Sequence, residues 1–284
     1  MQDSVREVVG YMGFDLHVHT TASDGKFSAE EVIQLAVELG LEGLSITDHD
    51  TVNAVNPALE FISRNRLNIE LIPGIELNTE AGANEIHILG YYLDHNRKEL
   101  LLKLQELKRA RDERAVKILH RLEELGLPLD LNRVQEHARG EVVGRPHIAD
   151  AMIEKGYVGT REEAFARYLD YGRPAYISRY KFPPREAIEL IKRCGGLAVL
   201  AHPGLIDDQA MVAEVIAMGV DGLEVFYPEH SREQTSFYLR LAREKGLLIT
   251  GGSDFHGPNE GNKLGAARVD RNSITAMQMR LTRR

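Results

Sequence analysis

The chain has 284 residues, a formal net charge of −8 and one cysteine, Cys194. A single cysteine excludes an intrachain disulfide framework and a cysteine-based zinc site, and no apolar run reaches the ~20 residues that a membrane-spanning helix needs. The amino-terminal residues lack the basic region and apolar core of a secretory signal peptide, so we expect a soluble, cytoplasmic protein.

Charge is distributed unevenly along the chain. Residues 97–185 contain 19 basic and 14 acidic residues, whereas the remainder contains 16 basic and 29 acidic residues. An acidic body suits metal cations and a basic segment suits an anionic substrate, although two ordinary solvated surfaces give the same balance. Charge alone leaves both interpretations open.

Strand and helix patterns alternate at both ends of the chain, which is typical of a mainly parallel sheet or barrel. The predicted strands are 14–18, 43–47, 69–79, 85–92, 197–201, 222–226 and 247–250, and the predicted helices are 28–40, 53–66, 183–193, 207–218 and 231–245. We therefore predict an α/β fold in which residues 1–95 and 179–284 form a distorted seven-stranded (β/α) barrel.

The alternation stops between these two halves. Residues 96–125 carry leucines at helical spacing among many charges, and helical patterns continue at about 130–138, 146–155 and 160–170. No strand pattern is strong in this stretch. We predict that residues 96–178 form an inserted helical cap lobe, whose basic charge would suit recognition of an anionic substrate.

Residue types that commonly bind metals lie at or near the ends of the predicted strands. His17 and His19 are two apart in the first strand, so their side chains face the same side. A (β/α) barrel gathers the carboxyl ends of its strands at one face, where its active site lies. The further candidates are His49, Glu76, His87, His202, Asp254 and His256.

Each of these residues alone has an ordinary explanation, such as a hydrogen-bonded core histidine, a loop cap or, for Glu76, an ion pair with an arginine. Their joint placement at successive strand ends favours a site for several metal ions instead. All the candidate ligands are nitrogen or oxygen donors, which suits manganese, iron, zinc or magnesium and excludes a soft thiolate site.

In type, order and spacing these motifs resemble those of the PHP (polymerase and histidinol phosphatase) family of phosphoesterases. The resemblance covers about residues 14–92 and 180–258. It rests on Asp15–Thr20 (DLHVHT), Ser23–Gly25 (SDG), Thr47–His49 (TDH), Gly74–Glu76 (GIE), His87, Ala201–Gly204 (AHPG) and Ser253–His256 (SDFH). The family's fold agrees with the barrel predicted above.

The resemblance implies two or three divalent ions per chain, with manganese expected first and zinc, iron or magnesium as alternatives. The implied ligands are His17, His19, Glu76 and Asp254 for the first ion, Glu76, His87 and His202 for the second, and Asp24, His49 and His256 for the third. Many family members have a histidine where Asp24 stands, and aspartate is also a competent hard ligand.

Within that family the chain most resembles the branch with a helical cap, which includes nucleoside 3′,5′-bisphosphate phosphatases and 5′→3′ exoribonucleases. Arg111 and Arg114 share a helix face, and arginine suits bidentate phosphate binding. Pairing with acidic residues of the same helix is the alternative for both arginines. The expected substrate-binding residues are Arg111, Arg114, Arg145, His147, Ser178, Arg179, Lys181 and His230. For His230, a surface turn is an equally good interpretation.

We therefore predict a phosphoric ester hydrolase that removes the 3′-phosphate of a nucleoside 3′,5′-bisphosphate, using hydroxide activated by the metals. Asp254 is expected to orient the hydroxide or take its proton, and His202 or His256 to assist the leaving group. The expected partner is a small phosphorylated nucleotide or a short single-stranded oligonucleotide, with no membrane and no obligate protein partner.

Three other functions compete with this prediction. A 5′→3′ exonuclease on short 5′-phosphorylated RNA or DNA would use the same chemistry. A noncatalytic metal-binding module would require a broken ligand set, which the sequence does not show. The amidohydrolase superfamily also begins with a His-x-His motif, but the chain has no evident strand lysine to bridge two metals, and Glu76 fits that bridging position instead.

Overall fold

The structure is a computed structural model, and it describes residues 12–82, 84–138, 143–178, 180–258 and 261–283. Within them, seven strands form one sheet in the order β1 to β7. The strands are β1 Phe14–Val18, β2 Gly43–Ile46, β3 Glu70–Ala81, β4 Asn84–Tyr91, β5 Leu197–Leu200, β6 Gly222–Phe226 and β7 Leu248–Gly251. This confirms the predicted seven-stranded barrel, with every strand near its predicted position.

Backbone hydrogen bonds bring the two ends of the sheet together. The N–H of His19 donates to the carbonyl of Phe255 at 2.9 Å, and the N–H of Phe255 donates to the carbonyl of His17 at 3.4 Å. Val18 of β1 and Phe255, which follows β7, form a parallel bridge. The sheet is thus a nearly closed barrel.

The sheet is less uniformly parallel than the alternation indicated, because β4 runs antiparallel to both β3 and β5. β3 leads directly into β4, and Ala81 pairs with Asn84. The turn uses Gly82 at a φ of +65°, a conformation that glycine adopts without steric cost. A parallel pair would have required a crossover of a dozen or more residues.

The helices follow the predicted pattern, with one addition. They are α1 Ala29–Glu38, α2 Val55–Asn65, α3 Lys98–Glu124, α4 Leu131–Ala138, α5 Arg145–Glu154, α6 Arg161–Ala164, α7 Pro184–Arg193, α8 Gln209–Ala217, α9 Arg232–Lys245 and α10 Arg271–Thr282. The predicted helix at 160–170 divides into α6 and a π-helical stretch, Phe165–Leu169. The sequence prediction missed α10, which buries Ile274 and Met277 against residues of β1 and β7.

The long helix α3 takes part in two separate cores. Leu100, Leu104 and Leu107 belong to the main core of the barrel. Farther along the same helix, Ala115 and Leu122 belong to a second core that consists of residues between 115 and 175. The amino-terminal half of α3 thus packs on the barrel, and the carboxyl-terminal half builds the cap.

In the part of the chain that the structure describes, no helix combines the length and the apolarity needed to cross a membrane.

Candidate metal centre

The predicted metal ligands converge at one mouth of the barrel because of where they stand in the strands. His17 lies in β1, and Glu76 lies in β3. His87 lies in β4, and because that strand is antiparallel, its amino-terminal half reaches the mouth, where His87 pairs with Asn78. The others follow the parallel strands directly: His19 after β1, His49 after β2, His202 after β5, and Asp254 and His256 after β7.

The first group of atoms is formed by His17, His19, Glu76 and Asp254. Oε2 of Glu76 lies 3.2 Å from Nε2 of both His17 and His19. Oδ1 of Asp254 lies 3.2 Å and 3.0 Å from the same two nitrogens. The spacing of two residues in β1 therefore places both imidazoles against the same pair of carboxylates, as the first implied ligand set requires.

Glu76 also joins this group to a second one. Its Oε1 lies 2.9 Å from Nδ1 of His87 and 3.3 Å from Nε2 of His202. Its Oε2 lies 3.0 Å from Nδ1 of His49. One buried carboxylate therefore contacts five histidines from four segments of the barrel, an arrangement suited to a ligand that bridges two cations.

The third group surrounds Asp24. Its Oδ1 lies 3.3 Å from Nε2 of His256, and its Oδ2 lies 3.8 Å from Nε2 of His49. The second ring nitrogen of His19, Nδ1, lies 3.9 Å from Asp24 Oδ1. His19 thus faces the first group with one nitrogen and the third with the other. The aspartate at this position reaches the same neighbours that the family pattern assigns to a third ion.

Buried atoms without hydrogen bonds show that these groups fit metal cations. They are Nε2 of His17, both ring nitrogens of His19, Oδ1 of Asp24, Nδ1 of His49 and Oε2 of Glu76. Buried polar atoms in proteins almost always have a partner, and here they are nitrogen and oxygen atoms directed at common points. A divalent cation would satisfy several of them at once.

Charges within the cluster strongly perturb its protonation. Burial lowers the pKa of His19, but Asp254 and Glu76 outweigh burial and raise that pKa to about 10. Burial also lowers the pKa of His87, whereas Glu76 and Glu85 raise it to about 10. In the absence of cations, protons on the histidines would balance the carboxylates, so metal binding must compete with protons.

The backbone at the strand ends adopts conformations that few residues tolerate. His202 has a φ of +25°, and Asp50 and Asp254 each have a φ of +53°. Such conformations cost free energy in residues other than glycine and persist only where the surroundings enforce them. These turns direct side chains back across the mouth of the barrel.

Two further aspartates hold the loops that carry the ligands. Asp48 accepts hydrogen bonds from the N–H and hydroxyl of Thr20 and from the hydroxyl of Ser23, and it thereby anchors the segment before Asp24. Asp15 accepts hydrogen bonds from the N–H and the hydroxyl of Ser253 and thereby anchors the segment before Asp254. Burial raises the pKa of Asp15 to about 6, against the opposing effect of these hydrogen bonds.

Two residues of this site were missed by the sequence interpretation. Oε1 of Glu224, in β6, lies 3.0 Å from Nδ1 of His17. The hydroxyl of Tyr227 donates a 3.0 Å hydrogen bond to Oδ2 of Asp254. The available signal was the charged residue in the otherwise apolar strand GLEVF. A buried carboxylate in such a strand needs a polar partner, but the sequence does not identify it.

A cavity of about 300 Å³ lies between the metal-ligand cluster and the cap. Asp24, His49 and His87 line it from the barrel. Four of the predicted substrate-binding residues line it from the cap, namely Arg111, Arg114, Arg145 and His147. The cavity therefore has candidate metal ligands on one wall and basic side chains on the opposite wall.

Each cap arginine is held by a specific contact. Arg111 forms an ion pair with Asp50, not with the acidic residues of its own helix. Nε of Arg114 donates to the carbonyl of Ile177 at 2.7 Å. The guanidinium of Arg145 lies 5.3 Å from the ring centre of Phe165. Arg145 also lies 3.8 Å from Oε2 of Glu85 in β4. Asp50 and Glu85 thus contact the arginines from the barrel, whereas Ile177 and Phe165 belong to the cap itself.

Two further predicted substrate contacts, Ser178 and Lys181, are not brought to the cavity. Both residues are exposed, and neither is among the described residues that line the cavity. Tyr180, which lies between them, does line it. Arg179 lies outside the described residues. Ser178 and Lys181 thus lie at the surface, between the cap and helix α7 of the barrel.

His230 has a different environment from the one expected. Its Nε2 accepts a hydrogen bond from the N–H of Gly204, and its Nδ1 lies 3.0 Å from the carbonyl of Val225. It is buried, which contradicts the surface-turn alternative. With both ring nitrogens bonded to backbone, His230 supports the loop that follows His202 and does not face the cavity.

Comparisons with known proteins agree with this geometry. The PHP domain family model matches residues 15–194. The chain is 38% identical over 250 residues to the 5′-3′ exoribonuclease Rnm of Escherichia coli, covering 86% of this chain and 85% of that protein. It is 30% identical over 255 residues to the 3′,5′-nucleoside bisphosphate phosphatase of Chromobacterium violaceum, covering 88% of this chain and 89% of that protein.

A solved structure supports the same assignment. The crystal structure of a protein from Bifidobacterium adolescentis, assigned as a metal-dependent phosphoesterase, superposes with a TM-score of 0.84 at 30% sequence identity. The match covers 95% of this chain and 96% of that one. The barrel, the ligand groups at its mouth and these relatives all indicate the same family. The chain belongs to the PHP family and is a metal-dependent hydrolase of phosphoric esters.

Proposed function

We propose that this protein hydrolyses the 3′-phosphate of nucleoside 3′,5′-bisphosphates and releases a nucleoside 5′-phosphate and inorganic phosphate. The observation that carries the proposal is the two-sided cavity, with carboxylates and histidines on one wall and arginines on the other. Such a cavity suits a ligand with two phosphates. Its volume of about 300 Å³ is at the lower end of the range for small-molecule sites, which favours a mononucleotide.

Nine residues would hold two or three divalent ions, with manganese as the proposed metal. They are His17, His19, Asp24, His49, Glu76, His87, His202, Asp254 and His256. When bound, these ions supply a Lewis acid for the phosphoryl oxygens and lower the pKa of water to near neutrality.

In the proposed reaction, water attacks phosphorus and the bond between phosphorus and the 3′-oxygen breaks. Asp254 is the proposed proton acceptor for the water. Its Oδ2 is bound by the hydroxyl of Tyr227, so the carboxylate has a fixed orientation with Oδ1 directed into the ligand group. The 3′-oxygen leaves with a proton, for which His202 and His256 are the proposed donors.

The cap arginines are proposed to hold the 5′-phosphate. Arg111 is already oriented by its ion pair with Asp50, and Arg145 lies over the ring of Phe165. Orientation before binding matters because an immobilised long side chain otherwise loses conformational freedom on contact with the ligand. A guanidinium can then form two parallel hydrogen bonds with phosphate oxygens.

A 5′→3′ exoribonuclease is the second candidate, and it is favoured by the higher identity to Rnm, 38% against 30% for the bisphosphate phosphatase. Both activities break the bond between phosphorus and the 3′-oxygen of a 5′-phosphorylated nucleotide. In the exonuclease, the next nucleotide remains attached to the scissile phosphate. The net charge of −8 argues against a long nonspecific contact with RNA, so a few nucleotides are the expected extent.

The deciding experiment compares two substrates in the presence of Mn²⁺, with products identified by mass. Fast conversion of adenosine 3′,5′-bisphosphate to 5′-AMP and phosphate, with slow trimming of a 5′-phosphorylated RNA oligomer, supports the phosphatase. Efficient stepwise release of 5′-mononucleotides from the oligomer supports the exonuclease. A 5′-hydroxyl oligomer is the matched control, and equal cleavage of both oligomers contradicts 5′-phosphate recognition by the cap.

A further inference from the structure

A buried carboxylate contacts two of the proposed metal ligands from behind. Glu224 of β6 is 0% exposed. Its Oε1 and Oε2 lie 3.0 Å and 3.2 Å from Nδ1 of His17. Its Oε2 also accepts a 2.8 Å hydrogen bond from the backbone N–H of His202. Glu224 is outside every group of candidate ligands, so its place in the site needs a separate explanation.

The contact with His17 determines which ring nitrogen can bind a cation. A carboxylate facing Nδ1 favours the tautomer that carries its proton there, and this leaves the lone pair on Nε2. Nε2 is the atom directed at Glu76 and Asp254, and it is buried without a hydrogen bond. Carboxylates in this position orient histidine ligands in many metalloproteins and raise their basicity.

The contact with His202 acts on the backbone instead. His202 has a φ of +25°, so its conformation depends on local anchors. The hydrogen bond from its N–H to Glu224 is one anchor, and the hydrogen bond between His230 and the N–H of Gly204 is another. One carboxylate therefore connects the ligand from β1 with the ligand that follows β5, and these two belong to different proposed metal sites.

We propose that Glu224 is a positioning residue that holds the tautomer of His17 and the backbone of His202, and thereby sets the affinity of the centre for divalent cations. The inference rests on the metal site of the proposed function, but it does not depend on which phosphoester is the substrate. Glu224 does not contact the reacting atoms and is not a catalytic residue.

The test is Glu224→Gln in the full chain. In the amide, one of the two oxygens becomes an NH2 group, which donates hydrogen bonds. An NH2 group in place of Oε1 faces Nδ1 of His17 and favours the tautomer with its proton on Nε2, whereas an NH2 group in place of Oε2 leaves the N–H of His202 without its acceptor. Titration of the metal-free protein with Mn²⁺ by calorimetry should show a loss of affinity of about 10–100-fold. The control is Asp221→Asn, a buried carboxylate near β6 that accepts a hydrogen bond from the N–H of Ala198 and pairs with Lys192; its Mn²⁺ affinity should stay within about twofold of wild type.

Wild-type Mn²⁺ affinity in Glu224→Gln, with a loss of thermal stability similar to that of Asp221→Asn, would show a purely structural residue and overturn the inference. If Glu224→Gln does not fold, the wild-type protein loaded with Zn²⁺ decides the matter by nitrogen-15 NMR of the histidine rings. A proton on Nδ1 of His17 supports the inference, and a proton on Nε2 overturns it. Weakened Mn²⁺ binding in the variant, with neither nucleotide hydrolysed by wild type, would refute the proposed function alone.

Discussion

The barrel mouth and the cap both line the cavity, but they hold their functional side chains in different ways. At the centre of the mouth, His17, His19 and Glu76 are 0% exposed and lie in a strand or directly after one. In the cap, Arg111 and Arg145 project from helices, and their side chains are 24% and 16% exposed. Metal ligation needs atoms placed within a few tenths of an ångström, whereas a phosphate accepts several arrangements of guanidinium groups.

This difference indicates a division of labour. We propose that the barrel supplies the ligands for the chemistry and that the cap supplies the contacts that choose the phosphoester. Because the cap has its own hydrophobic core, its surface toward the cavity can change without repacking the strands that carry the metal ligands. The following predictions challenge this division, in order of decreasing effect.

Asp254→Asn should reduce turnover of adenosine 3′,5′-bisphosphate by at least about 100-fold, since it removes a proposed ligand and proton acceptor together. Steady-state kinetics with Mn²⁺ measures the effect, and circular dichroism checks that the fold is retained. Asp208→Asn is the matched control, because Asp208 is an exposed cap of α8 and asparagine caps helices equally well. Wild-type turnover of Asp254→Asn would remove that residue from the site.

Leu122→Ala should destabilise the cap by about 2–5 kcal/mol through the cavity that it leaves, because Leu122 is fully buried in the cap core. Hydrolysis of a simple aryl phosphate and affinity for Mn²⁺ should stay near wild type. Hydrogen exchange measured by mass spectrometry should show faster exchange in residues 115–175.

The comparison variant for the cap is Leu100→Ala, on the same helix but buried in the barrel core. It should accelerate exchange in the barrel strands instead. If Leu122→Ala unfolds barrel and cap together in a single transition, the two cores are not independent, and the division of labour described above fails.

Arg145→Ala should lower kcat/KM for adenosine 3′,5′-bisphosphate by about 10–100-fold, because hydrogen bonds to charged groups contribute about 1.5–3 kcal/mol. Hydrolysis of a simple aryl phosphate should change much less. Arg167→Ala is the control, since Arg167 pairs with Glu163 and is not among the residues that line the cavity. Equal losses on both substrates would mean that Arg145 does not select the second phosphate.

Asp50→Asn should have the smallest effect, raising KM for the bisphosphate about 2–10-fold with little change in kcat. The substitution removes the charge that orients Arg111 but leaves the guanidinium in place, so the loss corresponds to an ordinary hydrogen bond of about 0.5–1.5 kcal/mol. A lower KM in this variant would show that Asp50 competes with the substrate for Arg111.

The strand positions were predictable because each strand leaves a local pattern in its own sequence. The direction of β4 was not predictable in the same way, because an apolar run is compatible with both a parallel and an antiparallel strand. The short connection after β3 was the only indication that β4 is antiparallel. Helix α10 was missed because its apolar pattern is weak: its buried residues are Ile274 and Met277, which pack on residues of β1 and β7.

The sequence by itself determined the chemistry of the barrel mouth, because histidines and carboxylates repeated at strand ends can converge only where the strands do. It also predicted a basic helical segment between the two halves of the barrel. Only the tertiary structure decided the partners: Glu224 behind His17, Asp50 against Arg111, and His230 turned toward the backbone of Gly204. These contacts join residues far apart in the chain, and local pattern carries no information about which distant side chain will satisfy a buried charge.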